Sequence, residues 1–276
     1  MIVGVTGSDG KLGRATTRRL RERGHTVVGF DLHGEAGPGF TRVDLADYGQ
    51  TLDDFLGVTA RHQGLDAVVH LAAVPVNGLV PDVTTFENNV TATFHVLFAA
   101  HRAGIRTIVS ASSITAMGFP FDEPPPFLPL DETFTAAHNT YGLVKVAEEA
   151  MAAQLVGWAP DASITALRFT NVVAQDDYGT FERASDPGYR RDLLGSWIDA
   201  RDGAEAVALA VEHARPGFEV YNVAAPDSGN TAPSREVAER WFPGTPITDD
   251  LEAHESLVST RKIRERLGFA ARHTWR

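Results

Sequence analysis

Tyr141 and Lys145 stand four residues apart in the run Tyr141-Gly142-Leu143-Val144-Lys145, which places a phenol and an ammonium on one face of a helix. With five tyrosines and three lysines in the whole chain, that pairing rarely arises by chance. A free phenol titrates near ~10, and a neighbouring ammonium favours its ionised form, so the pair reads as a general acid/base for the proton of an alcohol. Ser112 and Ser113 end an apolar run, where a hydroxyl can hold the substrate oxygen during that transfer. A second constellation is Thr6-Gly7-Ser8-Asp9-Gly10-Lys11-Leu12-Gly13. Its glycines permit a tight turn and let backbone N–H groups approach a pyrophosphate at a helix N-terminus, where the helix dipole favours negative charge. Asp31 ends the next apolar run. A carboxylate there accepts from both hydroxyls of an adenosine ribose and repels a 2′-phosphate, which favours NAD over NADP. Asp44-Leu45 is open to two readings, an adenine contact or a helix N-cap at Asp44. With NAD in place, the cationic nicotinamide ring would join Lys145 in lowering the phenol pKa.

These residues need a frame that brings them to one edge. Short apolar, β-branched runs predict strands at 2–6, 26–30, 40–43, 67–71, 107–111, 164–168 and 220–224. Helical spacing predicts helices at 11–23, 52–61, 83–103, 141–155, 203–214, 234–241 and 260–267. Strands apolar on both faces, alternating with amphipathic helices, make an α/β protein with a doubly wound parallel sheet. Two stretches break the rhythm: 119–134, with Pro120, Pro124, Pro125, Pro126 and Pro129, and the polar segment 171–196. Both follow strands, and so belong at the carboxyl edge where such sheets bind ligands. Arg183, Arg190 and Arg191 lie in the second stretch and suit a substrate carboxylate or diphosphate, with Arg191 taken as the binding candidate.

Composition removes other classes. The 276 residues carry 25 basic and 36 acidic side chains, a net charge of −11, which argues against a nucleic-acid partner. The absence of cysteine excludes disulfides, cysteine nucleophiles and thiolate metal sites. The ten histidines show no ligand spacing, so no metal is expected, and His70 reads as a satisfied core residue. No run approaches the ~20 apolar residues of a membrane helix, and the chain opens directly on a strand, so the expectation is a cytoplasmic protein with no membrane partner.

The motifs together resemble the extended short-chain dehydrogenase/reductase superfamily, in particular its NAD-dependent epimerase/dehydratase family. The resemblance runs through Asp31, Asp44-Leu45, His70-Leu71-Ala72-Ala73, Asn88-Asn89-Val90, Asp131-Glu132 and Lys262 as well as the two constellations. It implies a Rossmann-fold domain over 1–170 and a small substrate lobe over 171–276. It also implies Tyr141 as acid/base, Lys145 as pKa modulator and ribose ligand, and Ser113, five residues before Gly118, as the catalytic serine. The cofactor would lie against Gly7, Gly10, Lys11, Leu12, Gly13, Asp31, Asp44, Leu45, Leu71, Ala72, Ala73, Asn88 and Thr170, and the substrate against Val74, Ser112, Ser113, Asn171 and Arg191. Met117 and Val144 depart from the usual Tyr and Ser/Thr of sugar-nucleotide members. The length is similar to that of uronate dehydrogenases, whose Asn-His after the serine is here Ile114-Thr115. The implied function is hydride transfer at a secondary alcohol or hemiacetal of a sugar or sugar acid. The alternatives are a nucleotide-sugar 4-epimerase or dehydratase that retains NAD, and a non-catalytic dinucleotide sensor. A homodimer through the helices at 83–103 and 141–155 is expected, with Phe94, Val96, Leu97 and Phe98 as surplus apolar residues.

Overall fold

A computed structural model of the chain describes residues 1–35, 37–57, 62–248 and 250–276. Seven strands form one parallel sheet: β1 (Ile2–Thr6), β2 (Thr26–Asp31), β3 (Phe40–Arg42), β4 (Ala67–His70), β5 (Thr107–Ser113), β6 (Ser163–Phe169) and β9 (Gly217–Val223). Their order is β3-β2-β1-β4-β5-β6-β9, with every pairing parallel. The two-residue strands β7 (Val172–Val173) and β8 (Ile198–Asp199) pair separately. Every residue of β4 and β6 is buried, as strands covered on both faces must be.

Helices cover each face. Against one lie α1 (Lys11–Glu22), α5 (Ala200–Glu212) and α7 (Arg261–Leu267), whose Leu20, Val207, Val211 and Ile263 meet Val3, Val5, Val69 and Leu167. Against the other lie α2 (Tyr48–Phe55), α3 (Asp82–Arg102) and α4 (Thr140–Leu155), packing Phe55, Val96, Leu97 and Ala152 on Val28, Val68 and Ile108. The sheet order reverses at β1, between β2 and β4, and opens a crevice at the carboxyl ends of these strands. The predicted doubly wound sheet is therefore the observed one. No described helix is long and apolar enough to cross a membrane.

Departures from the predicted elements have local causes. The second helix begins at Tyr48 rather than 52, because Asp47 caps it by accepting the Gln50 N–H at 3.1 Å. It ends at Phe55, followed by Gly57 in the left-handed region, and the predicted residues 58–61 lie outside the described residues. β5 runs on through both serines, since Ser112 and Ser113 stay in register with Arg168 and Phe169. α5 starts at Ala200, capped by Asp199. Val96 and Leu97 are core residues, so they are not available to a dimer face.

Residues beyond 170 contribute α5 and β9 to the main layers, while a separate core forms around α6 (Ser234–Trp241). There Val237, Trp241, Phe242 and Leu257 pack on Met117 and on Phe121, Leu128 and Leu130 of the proline-rich stretch. A buried ion pair fixes that stretch to the sheet. Arg168 meets Glu149 at 2.8 Å and donates to the Phe134 carbonyl and Thr135 hydroxyl, both at 3.0 Å.

Candidate active site

The glycine loop closes at the end of β1. Gly7 has φ +65°, and a Cβ there would lie 2.7 Å from the Ala72 nitrogen; one on Gly13 would lie 2.0 Å from the Gly7 carbonyl oxygen. Only glycine permits this approach of α1 to the strand ends. Gly10 stands at the N-cap of α1 with no side-chain cap, and the first turn carries no acidic residue, so its N–H groups face an anion freely. Asp31 lies over the same loop, accepting the Asp9 N–H at 2.9 Å. The residues present thus fit a dinucleotide.

Neighbouring strand ends are tied to this loop. The Thr6 hydroxyl accepts the N–H groups of Leu71 and Ala72 at 3.2 and 3.3 Å. Asn89, buried on α3, clamps Val74 from both sides: its Oδ1 accepts the Val74 N–H at 2.8 Å and its Nδ2 donates to the Val74 carbonyl at 3.0 Å. The segment from Leu71 to Val74 is therefore held by Asn89, which sequence reasoning passed over in favour of Asn88. The Asn88 side chain donates to Asn89 instead.

The catalytic candidates sit on β5 and α4. Asn139 caps α4 by accepting the Gly142 N–H at 2.8 Å. A Cβ on Gly142 would lie 2.6 Å from the Thr115 carbonyl oxygen, so the glycine beside Tyr141 lets the first turn of α4 press on the chain just after Ser113. The two serines face opposite ways, as consecutive strand residues do. Ser113 is partly exposed and accepts the Thr115 N–H at 3.2 Å. Ser112 is buried and donates to Glu149 at 2.5 Å, which removes it from the substrate side.

Lys145 is buried and donates to Glu148 at 2.7 Å and to the Ala111 carbonyl at 3.0 Å, with its ammonium 5.4 Å from the Tyr141 ring centre. Glu148 accepts in turn from the Thr93 hydroxyl at 2.9 Å, Thr93 meets His70 at 3.0 Å, and His70 meets Thr6 at 2.8 Å. A continuous buried chain of hydrogen bonds thus links the glycine-loop strand to Lys145. Burial, helped by the Lys145 charge, pulls the His70 imidazole down to about 3, so the ring is neutral in the core. Burial opposes the Lys145 charge, but Glu148, Tyr141 and Glu149 together outweigh it and hold the ammonium above the ordinary lysine range.

These surroundings correct one expectation. Burial pushes the Tyr141 phenol up; Lys145 pulls it down and Glu148 pushes it up again, so the net direction in the protein alone is upward. The sequence reading counted the lysine and missed its buried counter-ion, although Glu148 shares the helix face at the spacing Tyr141, Lys145, Glu148.

The remaining candidates divide. Lys11 pairs with Asp177 at 2.6 Å, and Leu12 packs with the α1–α5 core, so Leu12 offers the loop only its backbone. Asp44 accepts the Ala46 N–H at 2.9 Å as a turn residue, while the N-cap is Asp47; Leu45 is buried in the core under α3. The Thr170 hydroxyl donates to the Val223 carbonyl at 3.1 Å. Arg191 lies over the Phe242 ring and reaches the Asp122 carbonyl at 3.4 Å, away from Asn171. Arg190 takes the place beside Asn171, at 3.0 Å.

Residues 3–224 match the model of the NAD dependent epimerase/dehydratase family. The UDP-glucose 4-epimerase of Rhizobium leguminosarum bv. trifolii is 30% identical over 225 residues, covering 79% of this chain. The chain spans 62% of that relative's length. A crystal structure of a UDP-galactose 4-epimerase superposes with a TM-score of 0.70 at 26% identity, covering 99% of this chain and 94% of that one. A short-chain dehydrogenase/reductase superfamily protein from Agrobacterium tumefaciens, with bound NAD, gives a TM-score of 0.71 at 25% identity over 100% and 94% of the two chains.

Proposed function

This chain belongs to the NAD dependent epimerase/dehydratase family, and we propose that it exchanges a hydride at a secondary alcohol of a sugar-type substrate. The observation that carries the reading is the first turn of α4, which Gly142 lets approach Thr115, so that the turn bearing Tyr141 presses on the chain just after Ser113 while Lys145 reaches the Ala111 carbonyl of β5. NAD, when bound, supplies a two-electron hydride acceptor. The Gly7–Gly13 turn and the uncapped start of α1 would hold its pyrophosphate, and Asp31 its ribose hydroxyls. The Tyr141 oxygen takes the proton of the substrate hydroxyl as the carbon gives up its hydride. Ser113 donates to the same substrate oxygen and aligns it for Tyr141. Lys145 holds its ammonium under the Tyr141 ring and steadies the phenolate.

Two branches share this half-reaction. A 4-epimerase on a nucleotide sugar returns the hydride to the other face of the keto intermediate, and the similarity to UDP-glucose 4-epimerases supports it. A dehydrogenase of a free sugar acid instead releases the reduced cofactor. Assaying NADH formation across free aldoses, hexuronates and nucleotide sugars, together with the absorption spectrum of the purified protein, separates them. Retained cofactor and interconversion without net NADH identify the epimerase; stoichiometric NADH identifies the dehydrogenase. Failure of every sugar in both assays removes the reading.

NAD is expected to bind tighter than NADP. Lys11 is paired with Asp177 and Arg14 with Asp9, so neither cation is directed at Asp31 to receive a 2′-phosphate. Tryptophan-fluorescence titration of both cofactors checks this, and Asp31→Ala is expected to narrow the gap. Tighter NADP binding by the unaltered protein overturns the assignment. The homodimer reading now rests on the exposed Val83, Phe86, Phe94 and Leu143 of α3 and α4. A monomeric mass in light scattering would dismiss it.

A further inference from the structure

The chain leaves β6 at Phe169, and three residues later the Val172 carbonyl accepts from Lys11 Nζ, at the start of α1, at 3.5 Å. The carboxyl ends of β4 and β5 lie between those two points, since the sheet runs β1-β4-β5-β6. Three strand spacings are about 14 Å; three extended residues advance about 10 Å, and the lysine side chain closes the rest. Residues 170–177 therefore cross back over the strand ends that lead to Leu71 and bear Ser113. They pass on the α1 side, because β7 pairs with β8, which runs directly into α5. A Cβ on Gly203 of α5 would lie 3.0 Å from Leu12 of α1. From the other face of the sheet, Asn89 of α3 holds Val74.

The far end of this crossing is anchored in the core. Tyr178 donates to Asp199 at 2.6 Å, and Asp199 is fully buried, caps α5 and is paired with Arg201 at 2.8 Å. The Phe181 ring lies 4.8 Å from that of Trp197 and stacks on Trp275 at 5.2 Å. The near end is held differently. Lys11 and Asp177 meet at 2.6 Å with side chains 45% and 51% exposed. Among the described residues, the hydrogen bonds from this stretch to the glycine loop are both made by Lys11. An exposed ion pair contributes little and opens easily, so one end is fixed and the other is a releasable latch. The pairing also neutralises a carboxylate that would otherwise stand bare beside the anion site at the start of α1.

We propose that residues 172–177 form a clasp across the dinucleotide site, latched by Lys11 and Asp177, whose opening sets the rates at which NAD enters and leaves. The proposal rests on the reading that the dinucleotide runs from the glycine loop toward Ser113. A pyrophosphate at that loop and a nicotinamide facing Tyr141 put the middle of the cofactor at this crossing. Asp177 is a positioning residue, acting through Lys11 and the backbone it ties down. The latch bears on both branches of the proposed function: a dehydrogenase must open it in every turnover, whereas an epimerase that retains its cofactor need not.

Stopped-flow tryptophan fluorescence on the full chain gives the association and dissociation rates of NAD, and calorimetry gives its Kd. Asp177→Ala is expected to speed both rates about 3- to 5-fold, the upper range for an exposed ion pair, and to leave the Kd unchanged, because a clasp opens for entry as for exit. Asp177→Glu keeps the carboxylate and should keep the rates of the unaltered protein. The difference between Asp177→Ala and the unaltered protein should shrink in about 1 M salt, where charges are screened within about 3 Å. Amide exchange across 172–177 should quicken in Asp177→Ala, while the melting temperature holds because the side chain is exposed. Rates that Asp177→Ala does not move, or a Kd that shifts with one rate alone, overturn the proposal. Slower dissociation also overturns it, by showing that the released Lys11 holds the pyrophosphate itself. Absence of NAD binding to the unaltered protein removes the cofactor reading together with the clasp, whereas failure of the clasp alone leaves NAD binding in place. Since none of these readouts needs turnover, the hydride-transfer reading is judged separately.

Discussion

Tyr141→Phe is expected to lower turnover at least ~10²-fold while leaving cofactor affinity intact, because the substitution removes the proposed proton acceptor and keeps the ring. The Tyr141 side chain is buried, but its hydroxyl has no hydrogen-bond partner among the described residues and is not sealed from solvent, so no buried donor is orphaned by its loss. The melting temperature should therefore barely move. Ser113→Ala is expected to cost less, since water can replace one hydrogen bond to the substrate oxygen. Ser112 cannot take over, because its hydroxyl is spent on Glu149. The pH dependence has a definite sign. In the oxidative direction the ionised phenol is the base, so the rate rises with pH through the Tyr141 pKa; in the reductive direction the protonated phenol donates, and the rate falls through the same value. Burial and Glu148 place that midpoint higher than Lys145 alone would. Near-normal turnover by Tyr141→Phe, on whichever sugar the assay panel identifies, would remove Tyr141 from the chemistry.

How much of this was legible in the sequence depends on the range of the interactions involved. β1 and α6 were read to the residue, because an apolar run bounded by Gly7 and a helical repeat starting at Ser234 are local signals. The start of α2 was missed since its first turn, Tyr48-Gly49-Gln50, has no apolar stripe, and only the Asp47 cap marks it. The separation of Ser112 from Ser113 was available from strand alternation once β5 was extended through both. What could not be read is the company each charged group keeps. That Arg168 occupies Glu149, and that Arg190 has no carboxylate partner among the described residues, are consequences of strands and loops far apart in the chain, whereas Lys145 and Glu148 are only three residues apart on one helix. Arg190 and Arg191 are adjacent and chemically identical; only the left-handed backbone at Arg190 and the Gly229 gap decide which one reaches Asn171.

Lys145→Met tests the same site through its charge. The substitution deletes the cation that favours the Tyr141 phenolate and the proposed ribose ligand, so turnover should fall at least ~10²-fold and NAD affinity should weaken with it. It also strands Glu148, a buried carboxylate left with the Thr93 hydroxyl, and breaking one side of a buried pair costs about 3–5 kcal/mol of stability. Loss of activity by unfolding must therefore be separated from loss of chemistry. Lys145→Met combined with Glu148→Gln removes both charges and leaves an amide that can still accept from Thr93, so it should recover most of the melting temperature and none of the turnover. Glu148→Gln alone acts in the opposite electrostatic sense. The groups facing Tyr141 and Lys145 are then the neutral His70 and the Glu149 carboxylate, itself paired to Arg168. Without the Glu148 charge the phenol ionises more readily, and the rising limb of the oxidative pH profile moves to lower pH. A profile that stays in place would show that Glu148 holds Lys145 without tuning Tyr141. Recovery of turnover by the double variant would show that the ammonium is not needed for catalysis.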